Sequence, residues 1–73
     1  MKPEAAKAEL KRITDDATGV GSSFVEATLQ PKEFYIYTEL WYITTEQLDK
    51  IREKVAISSI TIDGGRIMLT AQI

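Results

Sequence analysis

Few residues of this chain could do chemistry, because its 73 residues include neither histidine nor cysteine. Asp15 and Asp16 offer carboxylate oxygens, which hard cations prefer, but adjacent residues of a helix point about 100° apart. Ser22 and Ser23 offer hydroxyl groups, and no histidine is present to act as their base. We therefore predict no catalytic residue, no metal site and no cofactor, and we expect the chain not to be an enzyme.

A glycine- and serine-rich segment, TGVGSS at residues 18–23, contains the Gly-x-Gly spacing of some phosphate-binding loops. Those loops follow a strand, open a helix and carry a lysine directly after the glycines. This segment follows a predicted helix, and the next lysine is Lys32. We interpret it as a flexible connector in which Gly19 ends the helix in a left-handed cap.

The aromatic residues are concentrated at residues 33–43, EFYIYTELWYI. Side chains alternate between the two faces of a strand, and an open sheet face is usually polar. Here both faces carry large rings. The predicted core side holds Phe34, Ile36 and Leu40, and the predicted outer side holds Tyr35, Tyr37, Glu39 and Trp41.

Two helices and four strands are predicted around this segment. Good helix formers dominate residues 3–17, where apolar residues at helical spacing form one stripe of Ala6, Leu10, Ile13 and Ala17. Residues 24–30 alternate as a first strand. A four-residue loop at 30–33 would then set Leu29 opposite Phe34, Ala27 opposite Ile36 and Val25 opposite Thr38.

The second helix has the clearest start signal in the chain. Thr44 and Gln47 have the spacing of a capping box, and the predicted buried stripe is Leu48, Ile51, Val55 and Ala56. A hairpin of residues 60–62 and 66–73 follows. A two-residue loop at Gly64-Gly65 pairs Ile62 with Ile67 and Ile60 with Leu69, and the predicted core set of the last strand is Ile67, Leu69, Ala71 and Ile73.

The apolar last strand determines the predicted architecture. Edge strands usually carry charge or proline, so we place this strand between the second and third. The prediction is a single α+β domain, residues 1–73, with element order α-β-β-α-β-β. It is a two-layer sandwich in which two helices cover one face of a mostly antiparallel sheet of order 1-2-4-3. Its topology is that of the ferredoxin-like split β-α-β arrangement with the first strand moved to the C-terminus. The alternative order is 1-2-3-4.

The bare face of this sheet is the candidate functional surface. Tyr35, Tyr37, Trp41 and Met68 all point outward there, and such residues are enriched at the centres of protein interfaces. We expect a protein-interaction module that binds a protein partner or forms a homodimer. In a second interpretation, the rings stabilise only the sheet of their own chain.

A third interpretation is single-stranded nucleic-acid binding, because RNA-binding sheets stack bases on aromatic rings. The net charge of −2 weighs against it, because phosphate neutralisation supplies most non-specific affinity. No apolar run is long enough to span a membrane, and no small-molecule substrate is inferred. The N-terminus lacks the apolar region of a secretory signal. Together with the absence of cysteine, these features predict a cytoplasmic protein.

Overall fold

The computed structural model describes residues 2–21, 23–39 and 42–73, except for the side chain of residue 63. Two helices and four strands follow one another in the predicted order, which makes the chain an α+β protein. The elements are α1 (Pro3–Thr18), β1 (Phe24–Ala27), β2 (Glu33–Tyr37), α2 (Thr45–Arg52), β3 (Ala56–Asp63) and β4 (Arg66–Gln72).

The strands form one sheet of order β1-β2-β4-β3, in which all three neighbouring pairs are antiparallel. This confirms the predicted central position of β4, and the alternative order 1-2-3-4 is wrong. Leu69 and Ala71 are completely buried. A central strand can bury such residues because it has a neighbouring strand on each side.

Helix α1 follows directly from the predicted stripe. Ala6, Leu10, Ile13 and Ala17 are all buried, and α1 packs against β1, β2 and α2. Gly19 ends the helix with φ 74° and donates its N–H to the carbonyl oxygen of Asp15 at 2.8 Å. A residue with a Cβ avoids this left-handed conformation, so glycine is the suitable residue here.

Helix α2 begins with the predicted capping box. The Thr44 hydroxyl accepts a hydrogen bond from the Gln47 N–H at 3.1 Å, and the Thr44 N–H donates to Gln47 Oε1 at 3.0 Å. Ile43, just before the cap, is half-buried and packs against the core. The start of α2 therefore satisfies two backbone donors and contributes to the core.

The predicted register of β1 and β2 is wrong by two residues. Val25 lies opposite Ile36, and Ala27 lies opposite Phe34. Because side chains alternate with a period of two, this shift leaves every residue of β1 and β2 on its predicted face of the sheet. The faces predicted from the sequence are therefore correct although the pairing is not.

The β1–β2 loop explains the error, since it comprises residues 29–32 instead of 30–33. The Thr28 N–H donates to the carbonyl oxygen of Glu33 at 3.1 Å, and Lys32 adopts φ 62°. The Thr28 hydroxyl also accepts a hydrogen bond from the Gln30 N–H at 2.9 Å. Leu29, a predicted core residue, consequently lies fully exposed in the loop.

Strand β2 ends at Tyr37, whereas the prediction extends it to residue 43. The Thr38 N–H still donates to the carbonyl oxygen of Ile67 at 2.9 Å, but Tyr42 and Ile43 belong to no strand. Leu40, a predicted core residue of this strand, lies outside the described residues.

Strand β3 begins at Ala56, well before its predicted start at Ile60. Ala56 pairs with Gln72 and is exposed, so its predicted place in the buried stripe of the second helix is wrong. The register shifts between Ile57 and Ser59. Such a bulge adds a residue to one strand and interrupts the alternation from which strands are recognised.

The hairpin between β3 and β4 agrees with the prediction in its loop and its register. Gly64 and Gly65 have φ values of 61° and 83°, as a two-residue hairpin loop requires. Ile62 pairs with Ile67, and Ile60 pairs with Leu69.

One hydrophobic cluster joins both helices to one face of the sheet. Its buried members are Ala6, Leu10, Ile13, Ala17, Val25, Phe34, Ile36, Ile51, Val55, Ile67, Leu69 and Ala71. In addition to Leu29 and Ala56, three further predicted core residues lie outside it: Leu48 is half-buried, Ala27 is exposed at the sheet edge, and Ile73 is 47% exposed at the chain end.

Candidate interaction surface

The opposite face of the sheet carries a row of large side chains that crosses all four strands. Phe24 of β1 lies opposite Tyr37 of β2, Tyr37 lies opposite Met68 of β4, and Met68 lies opposite Thr61 of β3. Two separate backbone pairings, β1 with β2 and β2 with β4, bring Phe24, Tyr37 and Met68 together.

A second row runs beside the first and is more polar. Tyr35 lies between Glu26 and Thr70, and the Ser59 hydroxyl donates to the Thr70 hydroxyl at 2.9 Å. Thr70 is only 8% exposed, although it faces away from the helices. The neighbouring side chains on this face therefore shield a residue that no helix covers.

The ring of Tyr37 contacts the rings of both Phe24 and Tyr35. The ring centroids of Phe24 and Tyr37 are 5.9 Å apart with an interplanar angle of 36°, and those of Tyr35 and Tyr37 are 6.5 Å apart at 69°. Tilted and edge-on pairs are the favoured arrangements of aromatic rings. We call the surface of Phe24, Tyr35, Tyr37 and Met68 the aromatic patch.

Exposure differs across the aromatic patch. Tyr35, Tyr37 and Met68 are half-buried, whereas Phe24 is 50% exposed. The rings on β2 are therefore partly covered by their neighbours, and the ring at the β1 edge presents the largest apolar surface to solvent.

The structure brings together three of the four predicted surface residues, namely Tyr35, Tyr37 and Met68. The fourth, Trp41, lies outside the described residues. Sequence reasoning did not include Phe24 in the candidate surface. Its alternation with Val25 already assigned it to the outward face and was the available signal.

Acidic and neutral polar groups surround the aromatic patch. Glu26 is exposed, and the Gln72 side-chain amide donates to Glu33 at 3.4 Å. Arg66 is exposed at the hairpin end of this face, and no described position of the face holds a lysine.

The residues considered for chemistry lie elsewhere and hold the α1–β1 connection in place. Asp15 accepts hydrogen bonds from Lys11 Nζ at 2.7 Å, from the Ser23 N–H at 3.1 Å and from the Ser23 hydroxyl. Asp16 pairs instead with Arg12 at 3.1 Å. The two neighbouring carboxylates thus have different partners, and Ser22 lies outside the described residues.

The pKa of Asp15 reflects this environment. Burial raises the pKa of the carboxyl, but the hydrogen bonds from Lys11 and Ser23 together outweigh burial, so the pKa lies below its ordinary value. Asp15 is therefore an ionised anchor for the loop that enters β1.

The described part of the chain contains neither a metal-binding cluster nor a membrane-spanning helix. No group of three or more Asp, Glu, His or Cys residues there could hold a metal ion. None of the described helices has both the length and the apolar character needed to cross a membrane.

No protein-family model, curated protein or solved structure matches the chain.

Proposed function

We propose that this chain is a small, non-catalytic protein-interaction module that binds through the aromatic patch. The observation that carries the proposal is the row Phe24–Tyr37–Met68, in which the outermost ring is half-exposed on a sheet face without a helix. Aromatic residues and methionine are enriched at the centres of protein interfaces, where lysine is depleted.

The surroundings of the aromatic patch support a protein as the partner. Glu26 and Gln72 give it an exposed polar border, and a polar rim around an apolar centre is the usual anatomy of an interface. The partner is either a second copy of this chain or a different protein, and we place the interaction in the cytoplasm.

The topology is consistent with this role. We interpret the fold as a permuted form of the ferredoxin-like split β-α-β arrangement, because β4 lies between β2 and β3 and both helices contribute to one core. In such a two-layer fold the second face of the sheet is left available for binding.

Phe24→Glu tests the proposal, with Leu29→Glu as its matched control. Both changes place a carboxylate at an exposed apolar position, but only Phe24 belongs to the aromatic patch. Sedimentation equilibrium of the wild type first shows whether copies associate. If the copies associate through the aromatic patch, Phe24→Glu should dissociate them and Leu29→Glu should not.

If Phe24→Glu leaves the association state unchanged, the partner of the aromatic patch is a different protein. Proteins retained by the immobilised chain are then identified, and the most abundant one is purified and titrated. We expect Phe24→Glu to weaken its binding at least about tenfold, a typical loss at an interface hot spot, and Leu29→Glu to leave it unchanged. Equal binding of the partner to both variants would contradict the proposal. The proposal would also be wrong if no partner is found and Phe24→Glu loses stability, because the rings would then stabilise only their own sheet.

A further inference from the structure

Strand β3 forms an edge of the sheet, and its outer side has no paired strand among the described residues. The strand is eight residues long, and residues 56–62 contain no charged residue and no proline. Natural edge strands are usually short or protected by charge, proline or a bulge. The bulge of β3 lies near its beginning, between Ile57 and Ser59, so the part from Ser59 to Ile62 is regular and unprotected.

Two isoleucines of this regular part are on the helix side of the sheet without being covered. Ile60 is 44% exposed and Ile62 is 74% exposed, whereas their partners on β4, Leu69 and Ile67, are 0% and 4% exposed. The helical layer therefore ends before it reaches the outer half of the β3–β4 hairpin, leaving a narrow apolar strip along the edge.

The backbone of the same residues is available for pairing. The two-residue loop makes Asp63 and Arg66 a directly opposed pair, which exchanges both backbone hydrogen bonds in this type of hairpin. Hydrogen-bonded and non-hydrogen-bonded pairs alternate along an antiparallel ladder. The N–H and C=O groups of Ile60 and Ile62 consequently point away from β4, towards the open edge.

We propose that β3 pairs with β3 of a second copy of this chain, antiparallel and across a two-fold axis at Thr61. In this register Ile60 lies opposite Ile62 of the second copy, and Thr61 lies opposite its own counterpart. The outward backbone groups of the isoleucines then meet, and the helices of both copies lie on the same side of a continuous eight-stranded sheet.

The sequence of β3 favours this register and thus a second copy as the occupant. A one-residue slip would oppose isoleucine to threonine and break the match of faces. A two-residue slip in one direction brings Ile62 against the bulged Ser58, and in the other direction it brings Ile60 against Gly64. Only the proposed register joins both isoleucines to isoleucines, and it brings no two charged residues opposite each other.

The dimer uses a different surface from the aromatic patch, so it goes beyond the proposed function. An interface of one strand and two isoleucines per copy is at the small end of specific interfaces, and we expect weak association. Thr61 also ends the row that contains Phe24, Tyr37 and Met68. Pairing at Thr61 would therefore bring two aromatic patches onto one continuous surface.

Amide hydrogen exchange of Ile60 and Ile62 tests the dimer, in a concentration series from roughly 10 µM to 1 mM. In the monomer these N–H groups face solvent and exchange rapidly. At a concentration where nine-tenths of the chain is paired, exchange should be about tenfold slower, because it proceeds from the remaining monomer. Sedimentation equilibrium over the same series should show a monomer–dimer equilibrium.

Ile62→Lys should abolish the dimer, since edge lysines prevent strand pairing. The position is largely exposed, so the fold should persist. Leu29→Lys, the same kind of change at a fully exposed loop position, should dimerise like the wild type, and so should Phe24→Glu. Rapid exchange of both amides at every concentration would overturn the proposal, and so would a dimer that survives Ile62→Lys. A dimer lost in Phe24→Glu but retained in Ile62→Lys would assign self-association to the aromatic patch instead.

Discussion

Phe24 lies directly opposite Tyr37 in the β1–β2 pair, with 5.9 Å between the ring centroids. The pair joins the short edge strand β1 to β2 on the face that no helix covers. The rings therefore take part in the stability of the sheet as well as in the surface that we propose for binding.

A double-mutant cycle with Phe24→Ala and Tyr37→Ala measures the contact itself. We expect a coupling of about 0.5–1.5 kcal/mol in the free energy of unfolding, the usual range for aromatic pairs. A parallel cycle with Leu29→Ala in place of Phe24→Ala should be additive, because Leu29 is fully exposed in the loop. Coupling close to zero between Phe24 and Tyr37 would mean that their contact does not stabilise the sheet.

Substitutions at the start of α2 test the capping box. Thr44→Ala should lower the free energy of unfolding by about 1 kcal/mol, because it removes the acceptor of the Gln47 N–H. Thr45→Ala should have a smaller effect, since Thr45 is the exposed first residue of the helix. Urea denaturation provides the measurement. A larger effect at Thr45 would contradict the observed helix start.

The C-terminal residues test the central position of β4. Ala71 is completely buried between Phe34 and Ile57, so deletion of residues 71–73 should destabilise the chain by several kcal/mol, a large part of the stability of a small domain. Deletion of Ile73 alone should cost much less, because this residue is 47% exposed. A chain lacking residues 71–73 that kept its cooperative transition and its midpoint would contradict the strand order.

The sequence predicted those elements whose signals are local. The capping box at Thr44 and the Gly64-Gly65 loop depend on residue types at fixed short spacing, and the observed hydrogen bonds and φ values follow from them. The order of the strands was predictable as well. Edge strands usually carry charge or proline, and the last strand has neither after Arg66, which indicated its central position.

The features that the sequence did not reveal depend on less regular backbone geometry. Lys32 adopts a left-handed φ, although residue types other than glycine seldom do so, and this conformation moves the β1–β2 loop by one residue. The bulge at Ser58 conceals the first half of β3 in the same way, because it interrupts the alternation. The candidate surface was predictable as a face, and the alternation of Phe24 with Val25 already assigned Phe24 to it, but its place opposite Tyr37 depends on the observed register.

The hydrogen bonds of Asp15 make a prediction about acid stability. The pKa of Asp15 is lower in the folded chain than its unfolded value of about 3.9. Its carboxylate therefore stabilises the fold above that pH, and the stabilisation is lost as the pH falls through the folded pKa. In Asp15→Asn the free energy of unfolding should be lower at neutral pH and should decrease less between about pH 4 and pH 2.

Ser23→Ala provides the intermediate case for the same experiment. It removes the hydroxyl that donates to Asp15 but keeps the backbone N–H donor, so the pKa of Asp15 should move part of the way back towards its ordinary value. Thermal denaturation at a series of pH values gives the comparison. Identical pH profiles for the wild type and Asp15→Asn would show that this carboxylate does not contribute to acid sensitivity.

A labelled single-stranded oligonucleotide at low ionic strength tests the nucleic-acid interpretation of the aromatic patch. We expect no binding by the wild type, because stacking surfaces act together with a positive groove, whereas this face carries the carboxylates of Glu26 and Glu33. The double substitution Glu26→Lys and Glu33→Lys keeps the rings and reverses these charges. It should produce weak binding that disappears as salt is added, which would show that charge prevents stacking. Wild-type binding that persists in moderate salt and is lost in Phe24→Ala would contradict this prediction and favour nucleic acid over protein as the ligand of this face.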